Sequence, residues 1–245
     1  SFFFKLPIVG TNDYILVWTT TPWTLPSNVA LCMNAKEDYS EIVSGGVHYV
    51  MAKALVPTLF EEYEEISVKK GKEYEYTEYE SLYPFGKEIF NYREKAHFVT
   101  CDNYVTLSDG TGVVHIAPAF GEDDSKVGKK YDLPFVQFVD TKGEMTKETP
   151  WAGVFVKKAD PMILEHLEKE GKLVSAPVFE HEYPHCWRCK EPVLFRATEQ
   201  WFCSIEGFRN EAIKAVESVQ WIPEWGEGRI TGMVRDRSDW CISRQ

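Results

Sequence analysis

Tyr39-Ser40-Glu41-Ile42-Val43-Ser44-Gly45-Gly46-Val47-His48-Tyr49-Val50-Met51 is the stretch on which the fold class turns. Residues 39–43 and 47–51 are β-branched and aromatic runs. The two glycines between them adopt positive φ without steric cost, so the segment predicts a tight β-hairpin. The same grammar repeats on both sides. Residues 2–9 and 14–19 read as strands separated by the turn residues Gly10-Thr11-Asn12-Asp13. Further on, residues 98–107 and 113–116 flank Ser108-Asp109-Gly110, and residues 135–139 form another short run closed by Asp140-Thr141-Lys142-Gly143. Many short strands with frequent turns predict a mixed, β-rich α+β fold: a β-barrel-like or folded-over sheet with peripheral helices.

Helices are fewer. Leu55, Leu59, Phe60 and Tyr63 share one face of a short helix starting near Pro57. Asp160-Pro161 reads as the cap and first turn of a longer helix, with Ile163, Leu164 and Leu167 as its apolar face and Gly171 as its stop. A third helix runs from about Phe208 through Ala212, Ala215, Val216 and Val219. Composition shifts near residue 180, which predicts a β-rich part over 1–180 and a second part over 181–245 holding a cysteine pair and a Trp- and Arg-containing tail. No internal repeat or low-complexity segment is present.

The bulk numbers narrow the function classes. With 245 residues, 44% hydrophobic and 14% aromatic, the chain can bury a core and is not a disordered tail. No apolar run approaches the roughly 20 residues that span a bilayer, and Lys5 and Pro7 interrupt the phenylalanine run that could imitate a signal peptide. The net charge of −11 disfavours a dedicated nucleic-acid domain but leaves room for a local basic patch. Cysteines at 32, 101, 186, 189, 203 and 241 are irregularly spaced, so the expected compartment is a reducing cytoplasm. Ser1 and the abrupt end at Asp239-Trp240-Cys241-Ile242-Ser243-Arg244-Gln245 read as cuts in a longer polypeptide.

Two motifs carry chemistry. The first is Trp18-Thr19-Thr20-Thr21-Pro22-Trp23-Thr24-Leu25-Pro26-Ser27-Asn28. Pro22 and Pro26 fix φ and remove donors, so this is a rigid, non-helical loop leaving a strand and displaying hydroxyls and an amide. On residues alone, a structural turn and a polar binding site are equally good readings. The second is Gly110-Thr111-Gly112-Val113-Val114-His115-Ile116-Ala117-Pro118-Ala119-Phe120-Gly121-Glu122-Asp123-Asp124. A histidine in an apolar strand is more often a core residue than a ligand. Three acids before residues 125–131 are more often solvated charges at a helix start, favoured by the helix dipole. Cys186-x-x-Cys189 can supply half of a tetrahedral metal site, and His181 and His185 lie nearby.

Together the two long motifs resemble the editing domains of the isoleucyl, valyl and leucyl tRNA synthetase group, and they are closest to its isoleucyl branch. Thr21 stands where the valyl and leucyl enzymes usually carry arginine, and His115 is likewise isoleucyl in style. The resemblance covers nearly the whole chain, though residues 52–95 carry little of it. It implies hydrolysis of valine misattached to the 3′ end of isoleucine tRNA, with valyl-adenylate as a second substrate, by a monomeric domain. In that reading Thr19, Thr20 and Thr21 hold the terminal adenosine, the ester and a water. Asp124 pairs with the α-ammonium, His115 walls the side-chain pocket, and Trp23 and Asn28 support the loop or touch substrate. The synthetase signatures His-Ile-Gly-His and Lys-Met-Ser-Lys-Ser are absent from these residues. ATP, magnesium and zinc therefore belong to the rest of such an enzyme, and no cofactor is expected here. The alternatives are editing by a valyl or leucyl enzyme, a non-catalytic tRNA-docking module, and a zinc-ribbon module resting on Cys186 and Cys189 alone.

Overall fold

The computed structural model describes residues 2–83, 95–178 and 182–243. In chain order its strands are β1 (Phe2–Pro7), β2 (Asp13–Thr19), β3 (Ala30–Met33), β4 (Asp38–Ser44), β5 (Val47–Ala52), β6 (Glu64–Lys70), β7 (Phe98–Cys101), β8 (Val113–Ile116), β9 (Leu173–Ser175), β10 (Phe202–Cys203) and β11 (Trp240–Cys241). Its helices are α1 (Val56–Leu59), α2 (Glu122–Lys130), α3 (Val156–Lys169), α4 (Arg209–Glu217) and α5 (Gly226–Arg235). The chain folds as two compact units, Ser1–Ala197 and Thr198–Gln245.

The glycine hairpin forms as read. Ser44 pairs with Val47 across Gly45 and Gly46, whose φ angles are +57° and +77°. Around it grows a six-stranded sheet in the order β6-β4-β5-β2-β1-β9. Strand β2 pairs antiparallel with β1 and parallel with β5. Ile15, Leu16 and Val17 are buried in succession, as a strand covered on both faces requires. At one edge, β6 is Glu-Glu-Ile-Ser-Val-Lys-Lys and mostly exposed; such charges discourage pairing with another sheet. The mixed α+β class holds, but the sheets are open, with no closed barrel among the described residues.

The second sheet has the order β7-β3-β8. Here the expected succession of residues 98–107 and 113–116 is corrected. All four residues of β3 are fully buried, and β3 takes the centre, parallel to β7 and antiparallel to β8. Strand β7 ends at Cys101 because Asp102 turns its carboxylate back to the Tyr104 N–H. Residues 135–139 form no strand beyond a single bridge at Val139; instead the Phe138 N–H donates to Ser27 Oγ.

Two helix readings also change. α1 stops at Leu59, with Phe60 already extended and Tyr63 exposed beyond it. α3 starts a full turn before Asp160, because its buried face, Val156, Ala159, Ile163 and Leu167, begins at Val156. Pro161 thus lies inside the helix, and Asp160 is not its cap. In the second unit β10 pairs with β11, and α4 packs on α5. Arg209 there donates to the Val234 and Arg235 carbonyls at the end of α5. No described helix is long and apolar enough to cross a membrane.

Tyr39 joins the hairpin to the turn before β8. Its hydroxyl donates to Gly112 O at 2.6 Å and accepts the Asn34 N–H at 2.9 Å. Gly112 has φ +70°, and a Cβ there would lie 2.4 Å from Ala52 Cβ and 2.9 Å from Leu107 Cδ2. Gly112→Ala should therefore cost about 2–5 kcal/mol, from the left-handed backbone and the overlap together. Gly10→Ala, with φ +80° but open space around it, should cost only about 1–2 kcal/mol. Chemical denaturation of the two variants against the parent measures the gap.

Candidate functional site

Strand β2 delivers the threonines. Thr19 is buried at its end, and the segment read as a non-helical loop instead winds into a short 3-10 helix, Pro22–Ser27, opened by Pro22, in which all six residues are buried. A chain of hydroxyls organises the turn. Thr19 Oγ1 accepts the Thr21 N–H at 3.2 Å and lies 3.3 Å from Thr21 Oγ1. Thr21 Oγ1 is 3.2 Å from Thr24 Oγ1, which donates to Thr21 O at 2.9 Å. The hydroxyl of half-buried Thr20 has no hydrogen bond among the described residues, which leaves it free for a ligand.

Strand β8 presents the second half. His115, opposite Leu31 in register, is 6% exposed, and its Nε2 lies 3.0 Å from Thr24 Oγ1. Since the Thr24 proton goes to Thr21 O, the imidazole donates from Nε2. Nδ1 is then a bare, buried acceptor without a partner. Burial pulls the His115 pKa down to about 4, so the ring is neutral near pH 7. Beyond β8 the chain loops into α2, where Asp124 Oδ2 accepts the Ala117 N–H at 3.1 Å. Gly121 makes room for that carboxylate, since a Cβ there would be 3.0 Å from Asp124 Cγ. Burial raises Asp124 to about 6; the Ala117 N–H opposes the shift and the Asp123 charge adds to it. Asp123 itself is exposed and ion-paired with Lys126 at 3.1 Å.

The two motifs thus meet. Thr24 bonds His115, and the Trp23 ring stands edge-on to Phe120 with centroids 5.1 Å apart. Trp23 and Asn28, read as loop supports or substrate contacts, are both buried in the threonine turn. Trp23 is 2% exposed. Both ends of the Asn28 amide are taken: Nδ2 donates to Ala30 O, and Oδ1 accepts from Tyr79 OH at 2.7 Å.

Two residues carry more than the sequence reading assigned them. Thr24 lies in the quoted motif, and only its partner across 91 residues reveals its part. Asp160, read as a helix cap, accepts the Trp23 N–H at 2.9 Å and so pins the threonine turn to α3. Burial lifts its pKa to about 6, against the Lys157 charge and the Trp23 N–H. Beside the 117–124 loop a cleft of about 410 Å³ is lined in part by Phe120, Ser125, Lys126, Lys129 and Arg196.

The cysteine pair forms a tight turn. The Cys186 N–H donates to Glu191 O and the Lys190 N–H to Cys186 O. The backbone N–H groups of Cys189 and Arg188, then the Cys189 thiol, lower the Cys186 pKa, as suits a thiolate metal ligand. Among the described residues this pair belongs to no cluster of three ligand-type side chains. His181 lies outside the described residues, and His185 turns Nδ1 to Tyr183 O. The cysteine pair fits half of a zinc site.

Similarity to known proteins places this geometry. The fold is that of the chain described as GlLeuRS-CP1 (TM-score 0.57, 14% identity), which matches 73% of this chain and 99% of its own. It is also that of the Plasmodium knowlesi cytosolic leucyl-tRNA synthetase editing domain (TM-score 0.51, 11% identity), matched over 71% of this chain and 94% of that one. Residues 15–245 match the family of class I tRNA synthetases (I, L, M and V), and the chain belongs to that family. Among curated relatives, the isoleucine–tRNA ligase of Clostridium acetobutylicum is 46% identical over 99% of this chain and 23% of its own length. That of Pyrococcus horikoshii is 45% identical over 100% of this chain and 24% of its own. The chain spans about a quarter of the length of these relatives.

The neutral His115 generates a pH signature. Unfolded, the ring titrates near 6.5; folded, near 4. Between these values the unfolded state binds more protons, so stability falls as pH drops through that window, by up to about 3 kcal/mol. Asp124 and Asp160 are raised and act in the opposite sense. Stability of the wild type minus that of His115→Asn cancels them. That difference should shrink steadily from pH 6.5 to pH 4 and stay flat above pH 7.

Proposed function

We propose that this chain is the proofreading part of an isoleucyl-tRNA synthetase, which hydrolyses the ester of valine misattached to isoleucine tRNA. The observation that carries the reading is the Thr24–His115 bond. It brings a turn of threonine hydroxyls against a strand that leads, through Ala117, to a half-buried carboxylate. High identity to isoleucine–tRNA ligases and a fold shared with leucyl editing domains support it.

The chemical need is plain. A pocket that accepts isoleucine gains only ~1–3 kcal/mol from the methylene that valine lacks, a limit for which isoleucyl-tRNA synthetases are themselves the standard illustration. A second pocket too small for isoleucine discriminates by overlap, which is steeply repulsive. His115, neutral and held in a strand, is suited to be a rigid wall of that pocket. Thr20, with its hydroxyl free, and the Thr19–Thr21 pair would position the ester and a water, with the neighbouring ribose hydroxyl assisting. Asp124 would receive the α-ammonium in a charge-assisted hydrogen bond. Lys129 and Arg196 in the cleft lining offer tRNA phosphates positive charge on an otherwise acidic chain, Lys126 being paired with Glu122 and Asp123. The domain would act as a monomer in the cytoplasm, with tRNA as its partner and with no metal or cofactor of its own in the reaction. Thr21 and His115 favour the isoleucyl over the valyl or leucyl reading. Turnover by the isolated chain separates an enzyme from a passive tRNA-docking module.

Asp124→Ala should slow deacylation of valyl-tRNA at least tenfold, since a hydrogen bond to a charged group contributes about 1.5–3 kcal/mol. Circular dichroism should show the fold retained, and Asp123→Ala should have the smaller effect. Full activity in a folded Asp124→Ala protein, or a larger loss in Asp123→Ala, would show that the wrong acid is assigned.

A carboxylate held near 6 adds a second expectation. kcat/KM for valyl ester cleavage should fall as pH drops below about 6, as Asp124 takes up a proton. Asp160→Asn, which removes the other carboxyl of similar pKa, should keep that limb. Loss of the limb in Asp160→Asn would assign it to the turn instead.

A further inference from the structure

Asp13, Glu41 and His48 lie on β2, β4 and β5 and meet on one face of the six-stranded sheet. Asp13 is the register partner of His48, and Glu41 lies two residues from Val43, the partner of His48 in β4. His48 Nδ1 is 3.2 Å from Asp13 Oδ1 and 3.6 Å from Glu41 Oε1, and the three atoms lie within 4.8 Å of one another. Two ligands bound tetrahedrally at about 2.0–2.1 Å stand about 3.3 Å apart. The two separations from the imidazole to the carboxylates bracket that value.

The surroundings suit a cation. His48 is a half-exposed side chain, but its Nδ1 is shielded from solvent and makes no aligned hydrogen bond. Neither Asp13 nor Glu41 has a lysine or arginine partner among the described residues. Ser67 donates to Glu41 Oε2 at 3.0 Å and so holds Oε1 toward the ring, as outer-shell groups hold metal ligands. Tyr74, 6% exposed, also has a hydroxyl without a partner.

We propose that Asp13, Glu41 and His48 bind a divalent transition-metal ion, with zinc as its natural probe, and leave a fourth position open. One imidazole and two carboxylates suit zinc or cobalt, whereas calcium and magnesium demand six or more oxygens. The site is separate from the threonine turn: Asp13 and Thr19 are opposite ends of β2, about 20 Å apart at strand rise. Bound there, the ion would clamp three strands together.

The test uses the 245-residue chain with Cys186→Ser and Cys189→Ser, which removes the competing thiols. Equilibrium dialysis with zinc and titration with Co²⁺ should show one ion bound, with ligand-field bands of a tetrahedral N/O site. Saturating zinc should raise Tm. Adding His48→Gln should weaken binding at least tenfold and abolish the Tm rise. Glu41→Gln, nearly isosteric, should weaken it similarly and carries the comparison if His48→Gln does not fold by circular dichroism. Absence of zinc binding in the double-serine chain, or binding that Glu41→Gln and a folded His48→Gln leave unchanged, would overturn the site.

Discussion

One hydrogen bond, Thr24 Oγ1 to His115 Nε2, joins the two halves of the site. It is buried and spans 91 residues, and each partner is fixed by its own sheet. Thr24 sits in a proline-bracketed turn at the end of β2, and His115 lies in β8 against β3. Without it the imidazole would have no partner at either nitrogen, a cost of about 1–3 kcal/mol for a buried polar group. Around it the Trp23–Phe120 contact, the Val29 N–H to Ile116 O bond and the Asp160 anchor on Trp23 fall into line.

The site's electrostatics follow from how little water reaches it. An acidic chain could be expected to hold its carboxylates ionised and solvated. Asp124 and Asp160 are instead drawn into the fold, each bonded to one backbone N–H of the loop it steadies. The neighbouring Asp123 and Glu122 stay outside on Lys126, where they contribute little beyond the helix dipole interaction. One short acidic run therefore holds two kinds of carboxylate.

What could be read in advance was local. The Gly45-Gly46 hairpin and the strand leading to Thr19 are written in period-2 patterns and turn residues. The two long motifs named Thr19, Thr20, Thr21, His115 and Asp124 by resemblance, and the fold brings those segments together. What escaped was non-local or locally ambiguous. β3 is a four-residue apolar run whose central place depends on β7 and β8. β6 is charged and exposed, with no alternation to announce it. α5 contains Gly226, Gly228 and Gly232, which lower its intrinsic propensity. At Asp160-Pro161 a good capping signal lost to the apolar repeat beginning at Val156. The Asp13, Glu41 and His48 cluster has no sequence signature, since three strands must pair before it exists.

The pairing of Leu31 with His115 also acts as a parity check on the chain. Successive strand residues face opposite ways, so a shift by one position turns the imidazole to the far side of the sheet, while a shift by two restores its facing. A single-residue insertion or deletion between Gly112 and His115 would thus turn the ring away from Thr24 and break the bond that joins the two motifs, whereas point substitution along β8 leaves its facing intact.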